Sequence, residues 1–138
     1  MKLRAFATLT LLAAALAGCG GGASERAIEV RMHYSRFLPQ AITVRVGTTV
    51  DFTLDNTDPI DHEFIIGTVA QQLAHERGNP NDPHTGPGEA AVPADVTRHI
   101  RFTFTKPGTL QFACHRPGHY AYGMVGTITV TAAPSPAP

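Results

Sequence analysis

The sequence predicts an all-β fold, a Greek-key antiparallel β-sandwich, with a long loop or short helix around residues 68–91. Two observations carry this prediction. Apolar and polar residues alternate in several short runs, which is the period of strands that bury one face. Glycine, proline and asparagine turns separate those runs at near-regular intervals, which is typical of a sandwich.

Seven strands are predicted in chain order, and they cover residues 27–33, 42–46, 50–54, 62–66, 100–104, 109–114 and 125–131. The alternation is plainest in the third run, where Val50, Phe52 and Leu54 are separated by polar residues. Residues 68–75 are predicted to form one or two helical turns. Residues 77–89 are rich in glycine and proline and predict a long loop, of the kind that is commonly functional or mobile.

The first 18 residues have the pattern of an export signal. Two basic residues precede an apolar run that is shorter than the about 20 residues of a membrane span. The run ends in Leu16-Ala17-Gly18-Cys19, which resembles the lipobox of bacterial lipoproteins and implies lipidation of Cys19; an ordinary signal peptide is the alternative. We therefore expect an exported protein on the periplasmic or cell-surface side, anchored to a membrane through its N-terminal lipid.

The predicted domain organisation follows from these features. Residues 1–18 are a signal peptide, residues 19–26 hold the lipidated cysteine and a flexible tether, residues 27–131 form one domain, and residues 132–138 are a disordered tail. A domain of this size can bury a core without disulfide staples, and we expect a monomer. The formal net charge is +0 with neutral histidines, so nucleic-acid binding has no electrostatic support.

Three side chains that bind metals recur at five-residue intervals near the C-terminus, namely Cys114, His119 and Met124. Thiolate and thioether are soft ligands, and with imidazole they favour copper over hard cations. A second imidazole is available upstream at His62. Two histidines, one cysteine and a weak axial methionine form the trigonal blue-copper site used for electron transfer.

Strand alternation supports this ligand set. It places Cys114 with Phe112, and His62 with Phe64, on faces that point into the core. A thiolate in an apolar interior is costly unless it is paired, and a metal ion supplies the partner. If Cys19 carries lipid, Cys114 is the one thiol left in an oxidising compartment, where metal coordination protects it. The alternative is a buried, inert cysteine.

With these residues in this order, the chain resembles the cupredoxins over residues 27–131. The ten-residue step from Cys114 to Met124 resembles the rusticyanin and auracyanin branch, as do the turns at 117–119 and 123–124. The resemblance implies one type 1 copper ion, with Cys114, His62 and His119 in the trigonal plane and Met124 axial. Glu63 stands where many cupredoxins have an asparagine or serine that ties two ligand loops together.

The resemblance also implies an electron carrier and not an enzyme. Redox partners would dock near His119, on an apolar patch formed by residues 117–118 and 120–122 with Ile60. A copper-binding protein for copper tolerance or delivery is the alternative; the scarcity of methionine disfavours it, whereas His75 and His84 in the long loop favour it and leave a second metal open. Met32 and the remaining histidines, His33, His99 and His115, are expected to be structural or to face away from the site.

Overall fold

The computed structural model describes residues 24–78 and 84–133. Within those ranges the chain forms nine strands and one helix. In chain order they are β1 (Glu25–Met32), β2 (Phe37–Leu38), β3 (Ala41–Arg45), β4 (Thr49–Asn56), β5 (His62–Gly67), α1 (Val69–Glu76), β6 (Glu89–Val92), β7 (Thr97–Thr103), β8 (Gly108–Ala113) and β9 (Val125–Thr131).

The strands form two sheets, and the β-sandwich prediction is confirmed. One sheet has the order β2-β1-β4-β7 and the other has the order β3-β9-β8-β5-β6. Both sheets are mixed, because β1 runs parallel to β4 and β3 runs parallel to β9, whereas the other pairs are antiparallel. Parallel pairs arise because the chain leaves one sheet and returns beside a strand that is not its neighbour in sequence.

All seven predicted strands are present, with ends shifted by a few residues; β1 begins two residues before the predicted start. The helix predicted over residues 68–75 is present as α1, and Thr68 caps it in a capping box with Gln71. Two strands were not predicted. The strand β2 has only two residues, and β6 has the sequence Glu89-Ala-Ala-Val92 inside the predicted loop, where alanine gives a weak strand signal.

The core lies between the sheets and contains four closely packed phenylalanines. Neighbouring rings among Phe37, Phe52, Phe64 and Phe112 have centroids 5.1–5.8 Å apart. The strand β5 is buried at all six residues, unlike the half-buried strands at the edges. Its outer side is covered by α1, from which Gln72 Nε2 donates a 2.8 Å hydrogen bond to the carbonyl oxygen of Ile65. The strand that carries the upstream candidate ligand is therefore held on both faces.

The predicted signal peptide, the lipidation site Cys19 and residues 134–138 of the predicted tail lie outside the described residues. In the part of the chain that is described, no helix combines the length and the apolar character needed to cross a bilayer.

Candidate metal centre

Three of the four candidate ligands lie at strand ends that meet at one end of the second sheet, and His119 lies in the loop that joins β8 to β9. His62 opens β5, Cys114 follows the last residue of β8, and Met124 precedes the first residue of β9. Because β8 pairs antiparallel with both β5 and β9, the start of each neighbour lies beside the end of β8. Strand pairing thus brings together residues that are up to 62 positions apart in sequence.

Three ligand atoms converge on one point. His119 Nδ1 lies 3.3 Å from both Cys114 Sγ and His62 Nδ1, and Cys114 Sγ lies 3.9 Å from His62 Nδ1. Metal bonds of about 2.0 Å to nitrogen and about 2.3 Å to sulfur, in a trigonal plane, would hold such atoms about 3.5 to 3.8 Å apart. The three atoms therefore fit one transition-metal ion. In the described ranges they form the one group of three or more His, Cys, Asp or Glu close enough to share an ion.

Met124 is held beside this group by the backbone. Its N–H donates to the carbonyl oxygen of His119 at 2.9 Å, and its carbonyl oxygen accepts the N–H of Cys114 at 3.2 Å. Its side chain is fully buried, as are those of Cys114 and His62. Gly118 and Gly123 have φ of 85° and 90°, a left-handed conformation that glycine adopts without strain, so the ligand loop can fold back on itself. The four predicted ligands are thus arranged as a type 1 site.

The buried carboxylate of Asp58 orients His62. Asp58 Oδ2 lies 2.8 Å from His62 Nε2, so Nε2 carries the proton and Nδ1 presents a lone pair to the other ligands. The backbone N–H groups of Tyr34 and Ser35 also donate to this carboxylate, at 2.7 and 2.8 Å.

Burial controls the protonation of Cys114 and His119. Burial raises the pKa of the Cys114 thiol to about 11, and this outweighs the hydrogen bonds from the Arg116 and Glu63 N–H groups, which lower it. The Glu63 N–H lies 3.3 Å from Cys114 Sγ. Burial also lowers the pKa of His119, and the neighbouring imidazole of His62 lowers it further. The apo-protein therefore holds a neutral imidazole and a thiol, and the thiolate requires a cation.

Asp58 makes the stability of the apo-protein depend on pH. Burial raises the pKa of its carboxyl, but hydrogen bonds from Ser35, His62 and Tyr34 outweigh burial, and the pKa lies below its ordinary value of 3.8. A depressed pKa stabilises the fold above the unfolded pKa, and this stability is lost as pH falls through the folded pKa. We expect Asp58→Asn to lower the free energy of unfolding at pH 7, and the difference from wild type to shrink below about pH 4.

Urea denaturation of the apo-protein between pH 7 and pH 2.5 measures this change. The control is Asp51→Asn, which alters an exposed aspartate on β4 and should change stability little at any pH. A difference between Asp58→Asn and wild type that stays constant across this range would contradict the assigned role.

Glu63 takes the place of the expected asparagine or serine and does tie two ligand segments together. Its Oε2 accepts the backbone N–H of His115 at 3.2 Å. His115 follows Cys114, and its ring points away from the ligands, as predicted. Its Nε2 lies 2.7 Å from Gln72 Oε1, and its Nδ1 lies 2.8 Å from Glu76 Oε2.

His75 was expected in the long loop but lies in α1, because the helix extends to Glu76, whereas His84 lies in the loop before β6. The rings of His75 and His115 stack with centroids 5.6 Å apart, and those of His75 and His84 lie 6.0 Å apart. His75 Nε2 lies 3.3 Å from Glu89 Oε1, and His84 Nε2 lies 3.3 Å from Glu63 Oε1. His75 and His84 were considered as ligands of a second metal, but their position beside the first site was not predicted.

The remaining predicted residues divide between surface and core. Tyr122 and Ile60 are 80% and 46% exposed, whereas Tyr120 is half-buried and its hydroxyl donates to Gln111 Oε1 at 3.0 Å. His33 and His99 bond the hydroxyls of Thr57 and Thr53, at 3.0 and 3.3 Å, and Met32 is buried in the core. The side chains of Asp58 and Arg116 were not predicted to belong to the site. Asp58 could have been predicted, because an aspartate four residues before a ligand histidine can bond the second ring nitrogen of that histidine.

A two-sheet sandwich with a Cys, two His and a Met at one end of one sheet defines the cupredoxin class. Residues 25–131 match the family described as copper binding proteins, plastocyanin/azurin family, and the chain belongs to that family. Copper is therefore the metal of the site, and the chemistry of its donor set agrees.

Two relatives of this chain share the name copper-resistant cuproprotein CopI. The copper-resistant cuproprotein CopI of Rubrivivax gelatinosus is 42% identical over 111 residues, covering 78% of this chain and 67% of the relative. The protein of that name from Pseudomonas aeruginosa is 32% identical over 139 residues, covering 78% of this chain and 77% of the relative.

Solved structures show the same fold. Auracyanin A, a blue copper protein from Chloroflexus aurantiacus, superimposes with a TM-score of 0.66 at 22% identity, covering 78% of this chain and 100% of that structure. The predicted likeness to auracyanin is thus confirmed in the fold.

Proposed function

We propose that this chain is a type 1 copper protein that carries single electrons. The observation behind the proposal is the convergence of His62 Nδ1, Cys114 Sγ and His119 Nδ1 within 3.9 Å of one another, beside the buried Met124. Bound copper supplies a one-electron couple between Cu(I) and Cu(II). In this proposal His62, Cys114, His119 and Met124 would hold the copper ion.

The protein holds these ligands in place during electron transfer. Asp58 fixes the ring of His62, the Glu63 N–H fixes the sulfur of Cys114, and the hydrogen bonds of the ligand loop fix Met124. Positions held in this way change little between the two oxidation states, which keeps the reorganisation needed for each electron small.

His119 is the route by which electrons leave the site in this proposal. Among the three converging ligands His119 is partly exposed, whereas Cys114 and His62 are fully buried. The exposed apolar side chains of Ile60 and Tyr122 belong to the predicted docking patch around it. A small, uncharged patch suits the brief encounters of redox partners, which bury little surface.

The absorption and EPR spectra of the copper-loaded protein, followed by voltammetry, test the proposal. We expect intense sulfur-to-Cu(II) charge transfer in the visible region and reversible one-electron cycling without loss of copper. A colourless Cu(II) form, or release of copper on each reduction, would contradict it.

Met124→Gln is expected to retain copper and to lower the reduction potential. The amide oxygen of glutamine is a harder donor than the thioether, and it stabilises Cu(II) relative to Cu(I). Voltammetry of the copper-loaded variant measures the change.

The control for this substitution is Met32→Leu. Met32 is equally buried but belongs to β1 in the other sheet and supplies none of the four ligands, so its replacement should leave the potential nearly unchanged. If Met124→Gln also leaves the potential unchanged, Met124 is not the axial ligand.

Copper resistance is the second candidate function. The two CopI relatives, at 42% and 32% identity, are named copper-resistant cuproproteins, which supports a role in copper tolerance. The buried ligand set argues against rapid copper exchange, so any such role would use the site while copper stays bound. Growth of a copper-sensitive bacterial strain that expresses the wild-type chain or Cys114→Ser tests this function: equal growth in high copper would exclude the site from tolerance.

The chain is not proposed to be an enzyme, since electron transfer needs no substrate site beyond the metal. We further propose export to the periplasmic or cell-surface side with a lipid anchor at Cys19, as the N-terminal sequence predicts. Membrane fractionation of the wild-type chain and of Cys19→Ser tests the proposed lipid anchor. Equal membrane association of both proteins would refute it.

A further inference from the structure

A buried carboxylate lies directly behind the ligand set. Glu63 follows His62 in β5 and is 4% exposed. Its backbone N–H lies 3.3 Å from Cys114 Sγ. Its side-chain carboxylate contacts other residues. A buried carboxylate is costly unless charged and hydrogen-bonding partners surround it.

The partners of Glu63 come from two segments. Arg116 Nε lies 3.2 Å from Oε1, as an ion pair rather than a directed hydrogen bond, and the His115 N–H donates to Oε2. Both belong to the ligand loop after Cys114. His84 Nε2, 3.3 Å from Oε1, belongs to the segment that precedes β6. One carboxylate therefore links the first ligand strand, the ligand loop and the long loop.

We propose that the charges of Glu63 and Arg116 set the reduction potential of the copper site, and that His84 fastens residues 84–88 to Glu63. Copper gains one positive charge on oxidation, so a nearby carboxylate favours the oxidised form and a nearby guanidinium favours the reduced form. Removal of either charge shifts the potential, and the two shifts have opposite signs. The inference rests on the proposed copper site and adds that its potential depends on this pair.

Opposite signs distinguish this role from a merely structural one. If the pair only braced the ligand loop, removing either member would loosen the same contacts and shift the potential in the same direction. Glu63→Gln removes the charge and the ion pair with Arg116, but it retains an oxygen that can accept the His115 N–H, so this direct link between β5 and the ligand loop is kept. Arg116→Gln likewise keeps a polar side chain and removes the charge.

Voltammetry of the copper-loaded full chain tests the proposal. Glu63→Gln should raise the potential and Arg116→Gln should lower it, each by about tenfold in the reduction equilibrium constant, which is about 59 mV for one electron. Shifts of the same sign, or shifts no larger than those of the controls, would overturn the proposal.

The controls remove the same charges elsewhere. Glu25 and Arg101 form an exposed ion pair at the end of the first sheet where β1 and β4 begin. The turn that contains Asp58, which contacts the ligand His62, follows the opposite end of β4. Glu25→Gln and Arg101→Gln should leave the potential nearly unchanged, because solvent and salt screen these distant charges.

Hydrogen exchange of the apo-protein tests the link to the long loop without copper. The N–H of Ile66 bonds to the carbonyl oxygen of Gly88 at 2.9 Å and reports whether residues 84–88 stay docked. His84→Asn should speed its exchange by about tenfold, because the shorter side chain no longer reaches Glu63. Exchange equal to wild type would refute this part.

The two kinds of failure can be told apart. A wild-type protein without blue-copper colour would refute the proposed function, and hydrogen exchange would still report on His84. A coloured wild type with same-sign shifts in Glu63→Gln and Arg116→Gln would refute only the proposed effect of the two charges on the potential.

Discussion

Replacement of Cys114 by serine is expected to abolish the intense visible absorption of the copper-loaded protein. The absorption arises from charge transfer between a thiolate sulfur and Cu(II), and the serine hydroxyl has no such donor orbital. The fold should survive, because the side chain is nearly isosteric and its burial is shared with Ala113 and Phe112 around it. Titration with Cu(II), monitored by visible absorption and by circular dichroism, measures both properties.

The matched control is Cys19→Ser, the same substitution at the other cysteine of the chain. It should leave the colour of the loaded protein unchanged, since Cys19 belongs to the predicted N-terminal tether and not to the predicted domain of residues 27–131. Colour that persists in Cys114→Ser would contradict the assignment of the thiolate, and colour lost in Cys19→Ser would show that the spectrum does not report on Cys114 alone.

Gly126→Ala is expected to destabilise the protein by about 3 kcal/mol or more, the upper part of the range for overpacked cores. Gly126 pairs with Phe112 across β9 and β8, and a Cβ atom at position 126 would lie 2.1 Å from Phe112 Cζ. The ring cannot move aside easily, because it packs against Phe37 and Phe64 at centroid distances of 5.1 and 5.2 Å. Urea denaturation of the apo-protein measures the loss.

Two further variants separate the clash from the general effect of replacing a glycine. Gly47→Ala has open space around the added carbon but a φ of 85°, so it should cost about 1 to 2 kcal/mol from backbone strain alone. Combining Gly126→Ala with Phe112→Leu should cost less than the sum of the two single changes, because the smaller side chain relieves the contact. Strict additivity would show that the ring is not the obstacle.

Copper exchange and redox cycling bear on the choice between electron transfer and copper handling. The ligand set is enclosed, with Cys114, His62 and Met124 fully buried. A site of this kind should exchange copper slowly and electrons quickly. Electron self-exchange measured beside copper transfer to a chelator therefore reports directly on which of the two processes the protein supports.

The order and type of the main elements could be read from sequence because they depend on local pattern. Strands such as Thr49–Asn56 alternate between buried apolar and more exposed polar residues, and the helix at Val69–Glu76 begins at a capping threonine. The edge strands at Phe37–Leu38 and Glu89–Val92 are too short or too weakly patterned to be detected in this way. Parallel pairing was also missed, because alternation does not record which strand becomes the neighbour.

The sequence by itself determined the metal chemistry, because a cysteine, a histidine and a methionine at fixed spacing define a soft donor set wherever they lie in the fold. Only the tertiary structure decided what surrounds that set. Glu63 meets both His84 and Arg116 through folding of segments that are distant along the chain, and the backbone N–H groups of Tyr34 and Ser35 reach Asp58 in the same way. Side-chain contacts of this kind depend on strand pairing and loop closure, and no periodicity in one chain encodes them.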